Sequence, residues 1–261
     1  MSDSNYQKSI NYLRSDILKH LSTLKYLTLY QDKATIELLE DGRQGWAVSV
    51  EIPTRFLSYD MKVYPKAETA IFINGSSKNL KYELLTALSN KNYILRLNEI
   101  LDLSIVKDQF EILRGNSFLS YSCSAINDAI TDPVIPGNNE LTDKAIAIII
   151  KNGYMEAEVK KYFDNGALWF GLTVDNNIKS LCFIYQNYDA IWEIAGVHTI
   201  ETERHKGYAK IVVASALKYL LDNKLVPRYE ADSQNLNSIK LAQSLTLKQF
   251  LRIDHFLLNR L

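Results

Sequence analysis

Trp192-Glu193-Ile194-Ala195-Gly196-Val197-His198-Thr199-Ile200-Glu201-Thr202-Glu203-Arg204-His205-Lys206-Gly207-Tyr208-Ala209 is the most informative run in this 261-residue chain. Its first part, ending near Thr199, is apolar and reads as a strand. A polar loop follows, holding Arg204-His205-Lys206-Gly207-Tyr208-Ala209. A long amphipathic helix opens there and runs to about Asp222, with Ile211, Val212, Ala214, Ser215, Leu217, Leu220 and Leu221 on its apolar faces. Gly207 and Ala209 leave room beside successive backbone N–H groups at the helix start. Those donors lack intrahelical partners, and the helix dipole makes the spot electropositive. A diphosphate fits such a place, and Arg204, His205 and Lys206 add positive charge around it. The run is neither a Walker loop nor a Gly-x-Gly-x-x-Gly dinucleotide motif.

Upstream of this run, Asp143 to Asn152 and Glu156 to Phe163 read as helices. Leu168–Val174, Lys179–Gln186 and Ala190–Thr199 read as strands joined by short Asn/Asp turns, the pattern of an antiparallel meander. Downstream, Val226–Ala231 reads as a strand, Asn237–Leu245 as a short helix and Phe250–Leu257 as a terminal strand. The first half is also mixed. A helix is expected from Asn5 to Tyr26, strands at Thr35–Leu39, Gly45–Val50 and Thr69–Ile73, a helix at Asn79–Leu88, a strand at Tyr93–Leu97 and a helix at Ile105–Leu113. Between the halves, Thr131-Asp132-Pro133-Val134-Ile135-Pro136-Gly137-Asn138-Asn139 concentrates Pro, Gly and Asn. It reads as a linker between domains at 1–130 and 138–261; the alternative is an exposed loop within one structure. The fold class is α/β (α+β), as two mixed α/β domains.

Composition agrees with a globular protein. Lys+Arg and Asp+Glu are 30 each, and 47% of residues are hydrophobic. The balanced charge gives no bulk reason to expect nucleic acid or anionic lipid as a partner. The densest apolar block, Ala145 to Ile150, is far shorter than the roughly 20 residues a membrane helix needs. The first residues show no apolar segment of signal-peptide type. Cys123 and Cys182 are the two cysteines, far apart, and read as free thiols in a reducing cytoplasm. The four His form no ligand-spaced cluster with them, so no metal is expected.

From about Asp143 to Leu257 the sequence resembles the GNAT superfamily of acetyl-coenzyme A-dependent N-acetyltransferases. Arg204-His205-Lys206-Gly207-Tyr208-Ala209 looks like the family's Arg/Gln-x-x-Gly-x-Gly/Ala pyrophosphate loop. Asn235-Leu236-Asn237-Ser238-Ile239-Lys240-Leu241-Ala242 is similar to its late Asn-x-x-Ser/Ala-x-x-Leu helix. The resemblance implies a twisted mixed sheet whose fourth and fifth strands part, with acetyl-coenzyme A in the gap. It implies backbone contacts to pantetheine from Val197 and Thr199, approach of Asn235 and Ser238 to the same arm, a nearby amide polarising the thioester, and an amine acceptor. Two family features are missing. Thr246-Leu247 replaces the usual Gly-Phe, and Ala242 stands where a Tyr often serves as general acid. The proton for the departing thiolate then comes from solvent or from a Tyr elsewhere, such as Tyr229.

Glu193 is the first candidate for a base, because several family members carry a glutamate on this strand and Trp192 and Ile194 would raise its pKa by desolvation. The alternative is an outward-facing strand glutamate. His198 lines the cleft or merely flanks the strand. His205 and Lys206 are expected at phosphate rather than in the chemistry, and Glu201 and Glu203 as solvated loop charges. The first half runs through a similar order of elements and reads as a degenerate domain of the same kind or as an unrelated α/β domain. The function expected is N-acetylation of an unidentified amine, with a small-molecule acceptor favoured by a two-domain cleft; the alternative is a non-catalytic acyl-coenzyme A binder or sensor.

Overall fold

The computed structural model describes residues 3–125 and 134–261. The chain forms two compact units, Met1–Phe118 with Leu251–Leu261, and Leu119–Phe250. In the first, α1 (Asp3–Leu13) and α2 (Ile17–Leu29) replace the single helix expected over 5–26. The break has a local cause: the Asp16 carboxylate accepts the Lys19 N–H and caps α2. Strands β1 (Thr35–Glu40), β2 (Trp46–Pro53) and β3 (Thr69–Gly75) pair antiparallel in succession. The β1–β2 turn is fixed by Asp41, whose carboxylate accepts the N–H groups of Arg43 and Gly45. The short helix α3 (Ser58–Val63) precedes β3, and α4 (Lys78–Thr86) follows it. Strand β4 (Tyr93–Leu97) then pairs parallel with β3.

The helix expected over 105–113 is not formed. A 3-10 turn at Leu103–Val106 leads into the strand β5 (Phe110–Ser122). Partners distant in sequence decide this: Arg114 and Ser117 both reach Asp254 on the chain's last strand, Lys248–Arg260. From residue 251 that strand belongs to the first unit, where it pairs antiparallel with β4, Asp254 opposite Leu97. The second domain expected over 138–261 thus differs at its end, since its last residues lie in the first unit.

The second unit repeats the order of the first. Helices α5 (Asp143–Lys151) and α6 (Glu156–Asp164) precede an antiparallel meander of β6 (Leu168–Val174), β7 (Asn177–Tyr188) and β8 (Ile191–Thr199). Helix α7 (Tyr208–Asp222) leads to β9 (Val226–Asp232), which pairs parallel with β8, and α8 (Leu236–Ser244) follows. The Thr142 hydroxyl starts α5 by accepting the Ala145 N–H. Strand β7 is buried on both faces. Leu181 and Phe183 pack with Ala145, Ile149 and Val159 of α5 and α6, while Cys182 and Ile184 pack with Val212, Ala216 and Leu220 of α7. Of the presumed linker, residues 131–133 lie outside the described residues. The part from Val134 packs within the second unit, where Asn138 exchanges backbone hydrogen bonds with Trp169 and the Ile135 N–H reaches the Ser215 hydroxyl.

Candidate active site

Strands β8 and β9 stay together for four register positions and then separate. Ile191 to Ile194 lie opposite Val226 to Tyr229; β8 continues to Thr199 and β9 to Asp232 with no further pairing between them among the described residues. The parting coincides with a bulge. Phe183 opposes Ala195 and Leu181 opposes His198, so Gly196 and Val197 together face the single residue Cys182. Glycine is required at 196 for two reasons. Its φ is +60°, and a Cβ there would sit 2.4 Å from the Phe183 ring. Beyond the bulge, the Ile200 N–H donates to the Lys179 carbonyl on β7. By strand alternation, the backbone groups of His198 also face β7 and those of Val197 and Thr199 face the widening gap.

The loop after β8 winds through a 3-10 turn, Glu201–Glu203, and reaches Gly207. His205 and Gly207 both have left-handed backbone, φ +64° and +79°. Gly207 caps α7: its carbonyl accepts the N–H groups of Lys210 and Ile211. The N–H groups of Gly207, Tyr208 and Ala209 have no acceptor among the described residues, and a Cβ on Gly207 would meet nothing within 4 Å. Open donors and open space at the start of a 15-residue helix fit a pyrophosphate. The loop cations are distributed unevenly. Glu203 receives Lys206 at 2.7 Å and Lys179 at 3.2 Å, whereas Arg204 lies 3.9 Å from the exposed Glu201. Glu203 is therefore a structural bridge rather than a simple solvated charge.

The other sequence-selected residues fall close by. His198 is half-buried, and burial together with Arg204 and Lys151 lowers its pKa, which keeps it neutral near pH 7. The Ser180 hydroxyl donates to the His198 carbonyl and pairs with the Thr199 hydroxyl. The Asn235 carboxamide is the cap of α8 and accepts the Ser238 N–H at 3.1 Å. The Ser238 side chain lies near the phenol of Tyr229, at the last paired position of β9. Burial pushes the Tyr229 phenol up to about 12.

Glu193 is buried, not outward-facing. It stands opposite Arg228 in the parallel register, and its Oε2 accepts from Arg228 Nη1 at 2.6 Å and from Asn187 Nδ2 at 2.7 Å. Arg228 also reaches Glu230 and Ser120. Burial raises the Glu193 carboxyl above the usual carboxylate range, against the opposing pull of Arg228. Sequence reasoning missed Arg228, Asn187, Glu230 and Ser120, because strand register between distant segments brings them together. Among the described residues, no group of three His, Cys, Asp or Glu is placed to hold a metal ion, and no helix is long and apolar enough to cross a membrane.

A meander, a bulged strand parting from its parallel neighbour, and an open helix start between them make up a GNAT-like fold. Residues 141–250 match the family model for GNAT acetyltransferases. Solved structures with the same fold include an acetyltransferase of the GNAT family from Colwellia psychrerythraea, 14% identical, with a TM-score of 0.63 over 99% of this chain and 97% of that one. A Drosophila protein is 10% identical with a TM-score of 0.58, again over 99% and 97%. A tandem GNAT protein from the clavulanic acid biosynthesis pathway is 8% identical with a TM-score of 0.53 over 98% and 95%. These alignments extend through the N-terminal half, which shares the fold. No curated protein matches significantly in sequence.

Proposed function

We propose that the second unit, Leu119–Phe250, binds acetyl-coenzyme A and passes its acetyl group to the primary amine of a small molecule. The observation that carries this reading is the start of α7, where unpaired N–H groups and the left-handed Gly207 open beside the parting of β8 and β9. There Gly207, Tyr208 and Ala209 would offer backbone donors to the pyrophosphate, with Arg204, His205 and Lys206 adding charge. Val197 and Thr199 would offer backbone groups to the pantetheine arm, with His198, Asn235 and Ser238 alongside. Bound there, acetyl-coenzyme A supplies an activated acyl carbon, whose bond to sulfur breaks as its bond to nitrogen forms.

The chain's own residues then have two proton tasks. An alkylammonium has a pKa of about 10.4 and must lose a proton to attack. Glu193 is the base in this reading, since burial makes its carboxylate more basic. The departing sulfur gains a proton, and Tyr229 suits that role because it remains protonated at neutral pH and lies where the strands begin to part. Two features favour a second reading, binding without chemistry: Glu193 is engaged by both Arg228 and Asn187, and Ala242 occupies the position of the family's usual Tyr. Calorimetry with coenzyme A tests binding, and a thiol-release assay with acetyl-coenzyme A and a panel of amines separates the two readings. No heat of binding overturns both; binding without thiol release leaves the second.

A further inference from the structure

The bulge in β8 has a partner outside the strands. Tyr154 stands between α5 and α6, and its phenolic oxygen accepts the Gly196 N–H at 3.1 Å. Its ring meets Phe183 edge-on at 5.2 Å, the same ring that would clash with a Cβ at 196. Two contacts therefore fix the phenol at the bulge. The hydroxyl's own proton has no acceptor among the described residues. Although the residue as a whole is partly exposed, its hydroxyl end lies among protein atoms, and burial pushes it up to about 12, so the proton is retained. A held donor with nothing to donate to, next to the amides that lead into the gap, is arranged for an acceptor atom that arrives with a ligand.

We propose that the Tyr154 hydroxyl donates a hydrogen bond to the carbonyl oxygen of the acyl group, beside the bulge amides, and thereby polarises it toward attack. This rests on acetyl-coenzyme A occupying the gap. No covalent bond to Tyr154 forms and its proton is not transferred. Charge that gathers on the carbonyl oxygen in the transition state is met by a fixed donor.

The test compares the full-length protein with Tyr154→Phe, which keeps the ring and its contact with Phe183. Calorimetry is run with acetyl-coenzyme A and with coenzyme A, which lacks the carbonyl. The expected result is an unchanged coenzyme A affinity and a loss of roughly tenfold for acetyl-coenzyme A, the scale of one hydrogen bond. The infrared stretch of the bound 13C-labelled thioester carbonyl should also move to higher wavenumber in the variant. Equal affinity ratios and an unmoved band overturn the proposal, as does an equal loss for both ligands, which marks a structural role. A wild-type protein that binds neither ligand overturns the functional reading and this proposal together. Binding of both by wild type with no change in the variant overturns the Tyr154 proposal alone.

Discussion

The Arg228 guanidinium and the Glu193 carboxylate face each other across β8 and β9, 2.6 Å apart and both almost wholly buried. Each neutralises the other in a place where an isolated charge is costly. The cluster is not fully satisfied: Nε of Arg228 and Oδ1 of Asn187 are buried without a hydrogen-bond partner. Arg228→Met should therefore destabilise the protein by about 3–5 kcal/mol, by stranding Glu193. Glu193→Gln should cost less, because Arg228 retains Glu230. Urea midpoints of the two variants check the order, and a harmless Arg228→Met would contradict it. If Glu193 is the base, Glu193→Gln also lowers turnover while cofactor affinity holds; an unaltered rate would remove it from the mechanism.

Gly207 offers a sharper probe of the loop. A Cβ there meets no protein atom within 4 Å, so an added methyl acts on the fold only through the strain of φ +79°. Gly207→Glu should abolish coenzyme A binding by placing bulk and negative charge at the helix start, with an unfolding midpoint close to that of Gly207→Ala. The assignment of this loop to phosphate is falsified if Gly207→Glu binds coenzyme A as the wild type does.

Coenzyme A should bind once per chain. In the first unit, β3 and β4 also cease to pair after Phe72 and Arg96, but the space is spanned by the chain's own amides. Asn74 donates to Thr23, accepts from Asn98 and hydrogen-bonds to His20. The two residues between β3 and α4, Ser76-Ser77, give their N–H groups to the Trp46 carbonyl, and the Ser77 hydroxyl accepts the Leu80 N–H. Three donors there, those of Ser76, Ser77 and Leu80, are already taken, whereas none of those at Gly207–Ala209 has an acceptor among the described residues. A calorimetric stoichiometry of two would refute this.

Stability should fall in mild acid because of His255. This histidine is buried, its Nδ1 faces the Tyr64 hydroxyl at 3.2 Å, and burial with the nearby Arg96 lowers its pKa to about 2. The Tyr64 oxygen already accepts the Asn116 N–H, so its proton points to a neutral imidazole. The folded pKa lies below the unfolded value of about 6.5. The unfolded chain therefore takes up a proton that the folded one excludes, and the contribution present above pH 6.5 is lost as pH falls. The loss is about 1.4 kcal/mol per pH unit below that point. His20 is shifted in the same direction, mainly by burial. His255→Gln should flatten the decline between pH 6 and pH 4 in urea titrations, and an equally steep decline would rule this histidine out as its source.

Much of this protein was legible residue by residue. The alternating runs and Asn/Asp turns of β6 to β8, the apolar faces of α7 and the small residues at 207 and 209 each carry their structure locally, through turn chemistry, periodicity and unpaired helix donors. Tertiary structure alone decided what depends on register and on return of the chain. It set Glu193 against Arg228, placed Tyr154 at the Gly196 bulge, turned the expected helix at 105–113 into β5, and sent residues 251–261 back to the first unit. The physical reason is that strand pairing satisfies backbone groups with partners far away in sequence, and no local pattern records which partner that is.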